Sequence, residues 1–155
     1  MSFIVSILIV VADQLTKYLA VEFLMDKRPI VLINNLIELH FVKNYGAAFG
    51  IMQNKRWFFI VITLIVLMAI IIFIIKNNYI LHKLTKIALG SLLGGATGNL
   101  IDRIRLSYVV DFIKVDLGRL YDFPVFNIAD IFIVVGTILL VLLILFDKHE
   151  VKQGR

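Results

Sequence analysis

The sequence predicts an all-α membrane protein: four transmembrane helices, with a small surface β-hairpin between the first and the second. Three observations lead there. Of the 155 residues, 61% are hydrophobic, and the mean hydropathy is +0.96. Charged residues make up only 17% of the chain and cluster between long apolar runs, where a soluble domain carries about a quarter. Four of those runs reach the roughly 20 residues that a helix needs to cross the hydrocarbon core. The length accommodates one domain over residues 1–155.

The first helix is expected over about Ser2 to Leu24, interrupted by Asp13, Lys17 and Glu22. The opening MSFIVSILIVVADQLTK has no charged leader and no small-residue cleavage site, so it reads as a retained span rather than a secretory signal. The second span, about Trp57 to Ile75, holds no charge. The third, about Leu84 to Ile104, is rich in Gly, Ala, Ser and Thr, and the fourth, about Ile128 to Phe146, is almost purely aliphatic. The second and fourth can face lipid nearly all round. The first and third carry polar groups that must face protein or water.

The surface β element is expected over residues 29–43. Ile30 to Ile33 and Leu36 to Phe41 flank Asn34-Asn35, and paired Asn residues tolerate the positive φ of a tight hairpin turn. Ile37-Glu38-Leu39-His40-Phe41 alternates apolar with polar, and Pro29 suits the start of an edge strand. Asn44 to Gly50 is compact and glycine-bearing. The second connection, Lys76 to about Lys83, is short and basic. The third, Arg105 to Asn127, is longer and holds Asp111, Asp116, Asp122 and Pro124.

The formal net charge of +5 comes with no basic helix and no RNA-binding aromatic pattern, so nucleic acid is not an expected partner. In a membrane protein such cations anchor helix ends at anionic lipid. Four spans put both termini on one side with Lys76, Lys83, Lys86, Lys148, Lys152 and Arg155. The other side holds Lys27, Arg28, Lys43, Lys55, Arg56, Arg103, Arg105, Lys114 and Arg119. A count of cations does not decide the orientation. The short loop with positive charge and no acid favours termini inside. The absence of cysteine excludes disulfides, thiolate metal sites and a cysteine nucleophile.

Charges within a bilayer cost several kcal/mol and mark function or obligatory pairing. Asp13 and Lys17 are one helical turn apart and can pair. Gly90, Gly94 and Gly98 form a smooth stripe for close helix approach. Asn99 and Arg103 share a face of the third helix, with Asp102 beside them. An Asn there can bond a substrate backbone, and an Arg can snorkel or pair with a carboxylate. Asp111 and Asp130 are lone carboxylates in apolar surroundings, on the same side by the four-span count. If they meet, they can share one proton, as peptide hydrolysis by two carboxylates requires. A helix cap at Asp111 and a packing hydrogen bond at Asp130 explain the same pattern. His40, His82 and His149 are too dispersed for a metal set. Ser91 and Lys86 are not spaced to share a helix face.

The chain resembles the lipoprotein signal peptidase family, also called signal peptidase II, over nearly its whole length. Five ordered motifs carry the resemblance: Asp13-Gln14-Leu15-Thr16-Lys17, Asn44-Tyr45-Gly46-Ala47-Ala48-Phe49-Gly50, Gly95-Ala96-Thr97-Gly98-Asn99-Leu100-Ile101-Asp102-Arg103, Val109-Val110-Asp111-Phe112 and Phe126-Asn127-Ile128-Ala129-Asp130. It implies a multi-pass enzyme of the bacterial cytoplasmic (inner) membrane, with termini inside and the β element and active site toward the outer leaflet. The implied substrate is a prolipoprotein bearing diacylglycerol on the cysteine after the cut, and the implied mechanism needs no cofactor and no metal. The family's catalytic pair falls on Asp111 and Asp130. Its substrate and inhibitor positions fall on Asn44, Gly95, Asn99, Arg103, Val109 and Asn127, a pocket also taken by cyclic peptides of the globomycin type. Asp13 and Lys17 match positions that support the fold and the surface sheet. Thr97 and Phe49 stand where variation is expected. One chain supplies every required part, so a monomer is expected. The competing readings are a small proton-coupled transporter worked by Asp13, and a membrane lipid-binding module that does not cut.

Overall fold

The computed structural model describes residues 1–46, 52–116, 123–146 and 148–150. Its elements run α1 (Ser2–Leu24), β1 (Ile30–Ile33), β2 (Ile37–Asn44), α2 (Arg56–Asn77), α3 (Lys83–Leu106), β3 (Val109–Val115) and α4 (Ile128–Leu145). The chain is mostly helical, with one small antiparallel sheet in the order β1-β2-β3. Among the described residues three helices are long and apolar enough to cross a membrane: α1, α2 and α4. At 24 residues α3 is as long as they are, but its Gly, Ser, Thr, Asn and charged residues dilute its hydropathy.

Composition explains where α3 sits. It packs against α1, α2 and α4, so its polar groups meet protein rather than lipid. Without a side chain at Gly90 and Gly94, α1 comes in close: a Cβ at Gly90 would meet the Ser2 carbonyl oxygen at 2.6 Å, and one at Gly94 the Ser6 carbonyl oxygen at 2.9 Å. On another face, a Cβ at Gly95 would meet the Ala129 carbonyl oxygen of α4 at 2.5 Å. The leucines of α3 pack the other way, Leu93 and Leu100 against Ile60 and Leu67 of α2.

The hairpin forms as its sequence suggests, with Asn35 at φ 58° in the turn. The third strand is not expected from the sequence, in which Arg105 to Asn127 reads as a connection. Ser107 ends α3 in the left-handed conformation at φ 73°, which redirects the chain into β3. There β3 pairs with β2, Val109 opposite Asn44 and Asp111 opposite Val42. Val109, Val110, Asp111 and Phe112 are all buried. Val110 and Phe112 pack on Ala20 and Leu24 at the end of α1, which seats the sheet on the helices. A strand buried on both faces reads as a continuous apolar run rather than an alternation, so Val109-Val110-Asp111-Phe112-Ile113 gave no period to detect.

Candidate active site

Asp111 lies on β3 and Asp130 in the first turn of α4, and a single residue, Asn127, joins them. Asn127 is the N-cap of α4: its side-chain oxygen accepts from the Asp130 backbone N–H at 2.9 Å, and its own N–H donates to Asp130 Oδ2 at 3.2 Å. That reciprocal cap satisfies two donors the helix start would otherwise leave unpaired. Because Oδ1 of Asn127 is committed to a donor, its Nδ2 must turn the other way. It donates to Asp111 Oδ1 at 2.6 Å and to Asn99 Oδ1 at 3.1 Å.

Asn99 is oriented by the same logic. Its oxygen accepts from Lys17 Nζ at 2.9 Å, and an ammonium can only donate. The Asn99 Nδ2 therefore faces Asp130, donating to Oδ1 at 2.8 Å. Asn44 donates to the other oxygen of Asp111 at 2.9 Å. The sheet register places this contact: Asn44 and Val42 share a face of β2, so Asn44 is a diagonal neighbour of Asp111. Arg103 donates through Nη2 to the Gly46 carbonyl at 3.1 Å, and its Cζ lies 5.0 Å from the centre of the Phe59 ring.

Asp111 is 2% exposed. Burial pushes its carboxyl up to about 7 from the usual carboxylate range, and the neighbouring Asp130 charge adds to the rise. The Asn44 and Asn127 hydrogen bonds and the Lys17 charge oppose it without cancelling it. Such a carboxyl can hold a proton at neutral pH.

Both acids face a cavity of about 520 Å³, lined also by Asn44, Asn99, Arg103 and Val109. Its remaining wall is apolar, built from Phe123 to Phe126 and from Ile131, Ile133, Val134 and Val135 of α4. Of the expected site residues, Asn127 lies just behind the two acids, fully buried. Gly95 does not line the cavity and instead packs against α4 at Ala129. Asp13 and Lys17 form an ion pair of 3.0 Å beneath the site. The segment Ala47 to Gly50 of the glycine-bearing motif lies outside the described residues, as do Arg119 and Asp122 of the third connection. Among the described residues no group of three or more His, Asp or Glu side chains is arranged to hold a metal ion.

Sequence reasoning assigned no role to two residues of this network. Asp102 pairs with Lys17 at 2.9 Å and accepts from the Val110 N–H at 3.0 Å. Gln14 donates to Asp13, to the Gly98 carbonyl and to Asp102. Asp102, the single acid of α3, carried a signal of its own; Gln14 carried none.

This geometry coincides with a family match. Residues 5–146 match the model of Signal peptidase (SPase) II. The chain belongs to the signal peptidase II family. Its relatives include a lipoprotein signal peptidase of Caldanaerobacter subterraneus subsp. tengcongensis, 47% identical over 94% of this chain and 97% of that protein. Another, from Shouchella clausii, is 42% identical over 99% of each. Two solved structures, each described as a bacterial membrane enzyme determined by the in meso method, share the fold. One has a TM-score of 0.85 at 35% identity, covering 99% of this chain and 93% of its own. The other has a TM-score of 0.83 at 37% identity, covering 94% and 93%. As a signal peptidase II, the chain is a multi-pass bacterial membrane protein and a peptidase that serves lipoprotein processing.

Proposed function

We propose that this signal peptidase II removes the signal peptide from diacylglyceryl-modified prolipoproteins, cutting just before the lipidated cysteine, with Asp111 and Asp130 as its catalytic pair. The observation that carries the reading is the bridge: one residue, Asn127, donates to both carboxyl groups, to Asp111 through its side chain and to Asp130 through its backbone N–H, and both acids line one cavity. With one proton between them, the ionised member takes a proton from water as it attacks the scissile carbonyl. The protonated member donates to the carbonyl oxygen. Return of a proton to the amide nitrogen then lets the carbon–nitrogen bond break.

The remaining residues supply placement. Asn44, Asn99 and Asn127 hold the carboxylates, Val109 and the α4 face line the passage, and Arg103 holds the Gly46 carbonyl. The apolar wall suits acyl chains arriving sideways from the bilayer, and the same space suits cyclic peptide inhibitors of the globomycin type. On this reading α3 is a fourth span, screened from lipid by its neighbours, and residues 1–155 act as one domain and as a monomer. The termini lie in the cytoplasm, the sheet outside, and the site near the outer leaflet of the cytoplasmic membrane.

Nothing in the geometry favours a transporter worked by Asp13. That carboxylate is 0% exposed, is paired with Lys17, and accepts from the Ala129 N–H at 2.9 Å. The test is turnover of a diacylated prolipoprotein peptide in detergent or lipid. Asp111→Asn and Asp130→Asn are each expected to abolish cleavage while the protein still folds and binds inhibitor. Near-normal cutting by either variant rules out the pair.

A further inference from the structure

Beneath the two aspartates lies a second charged group that the chemistry above does not use. Lys17 is 3% exposed, Asp13 0% and Asp102 3%. Lys17 Nζ lies 3.0 Å from Asp13 Oδ2 and 2.9 Å from Asp102 Oδ2. Each carboxylate also grips a backbone amide, and the choice of amides is specific. Asp13 Oδ1 accepts from the N–H of Ala129, the residue before Asp130. Asp102 Oδ2, the oxygen that binds Lys17, also accepts from the N–H of Val110, the residue before Asp111. Lys17 itself donates to Asn99, whose amide contacts Asp130.

We infer that Lys17, Asp13 and Asp102 form a positioning triad that sets the separation of the catalytic aspartates by holding the backbone N–H of the residue before each one. The inference rests on the proposed roles of Asp111 and Asp130. Backbone pairing already ties β3 to the segment before α4, Phe112 and Ile113 donating to the Phe126 carbonyl; the triad adds a side-chain tie on the N-terminal side of each aspartate, with α1 supplying the cation that joins its two arms. An ammonium suits this post because it donates in several directions at once and accepts nothing. Gly98 completes the seat, since a Cβ there would collide with the Asp13 carboxylate.

A triad that only held the fold together would, when damaged, lower the melting temperature and the amount of active enzyme. A positioning triad does something further. It changes kcat per folded molecule while leaving KM in place, because the apolar wall that binds acyl chains is untouched. A displacement of about 1 Å between reacting groups costs on the order of 100-fold in rate.

The experiment measures kcat, KM and melting temperature of full-length Lys17→Met, Asp102→Ala and Asp102→Asn in lipid, with the diacylated peptide as substrate and Asp111→Asn as the reference. Lys17→Met and Asp102→Ala are expected to lose on the order of 100-fold in kcat, with KM within about threefold of the parent. Asp102→Asn keeps an oxygen for both Lys17 and Val110 and is expected to stay within about tenfold of the parent in kcat. If Lys17→Met does not fold, the contrast between the two Asp102 variants carries the test. Folded Lys17→Met with parental kcat, Asp102→Asn as slow as Asp102→Ala, or a loss borne by KM overturns the triad as a positioning device. An active Asp111→Asn overturns the catalytic pair and this inference with it. An inactive Asp111→Asn beside fully active triad variants overturns the inference alone.

Discussion

At the scale of single residues, Asp111 carries the clearest chemical consequence. Its carboxyl is pushed up to about 7 by burial and by Asp130. A group whose folded pKa exceeds its unfolded value, near 4 for a carboxyl, stabilises the folded state least when ionised. The contribution is fully present below about pH 4 and is lost as pH rises through about 7. Thermal melts of the parent should therefore lose stability with rising pH across that window, and Asp111→Asn should flatten the slope. An equally steep slope in the variant contradicts the assignment. Activity should follow the same ionisation, because the proposed mechanism keeps one proton on the pair. A decline in kcat above pH 7, with an apparent pKa belonging to the pair, is the expected profile, read from peptide cleavage across buffers.

At the scale of elements, the close approach of α3 and α4 sets the site. Gly95 sits against the Ala129 carbonyl, one residue from Asp130. Gly95→Ala is expected to push the first turn of α4 outward, costing about 1–3 kcal/mol as overpacking does, and to lower kcat as well. Unchanged melting and turnover would show that the contact yields. The helices were legible in the sequence because apolar runs of spanning length are hard to produce for any other reason. Their bounds differ from expectation by a residue or two at α2, α3 and α4, as frayed ends do. The hairpin was legible from Asn34-Asn35. Strand β3 was not, since its long-range pairing with β2 leaves no local mark. The charged pair on α1 was visible from its spacing, but its attachment to Asp102 was not. Spacing along one helix says nothing about a partner on another.

At the scale of the whole molecule, the arrangement of four helices proposed here makes a topological claim. The hairpin turn at Asn35 and the α2–α3 connection at Asn78 should lie on opposite sides of the membrane. The chain has no cysteine, so Asn35→Cys and Asn78→Cys each provide a single thiol. An impermeant thiol reagent added to intact cells is expected to label Asn35→Cys and to reach Asn78→Cys only after permeabilisation. Labelling of both from outside contradicts the orientation.

The buried charges of α1 also bear on how the protein is made. Asp13 and Lys17 leave the ribosome long before Asn99, which Lys17 bonds across 82 residues of chain, and α3 brings Asp102 later still. During that interval the first helix must reside in or beside the insertion machinery with two ionic groups at membrane depth, where each alone is costly. Their spacing of one turn lets them neutralise each other within the nascent helix until the third arrives. Separating them by a residue, with the same composition, should leave α1 poorly retained during synthesis, a failure of biogenesis before any fold exists to be destabilised.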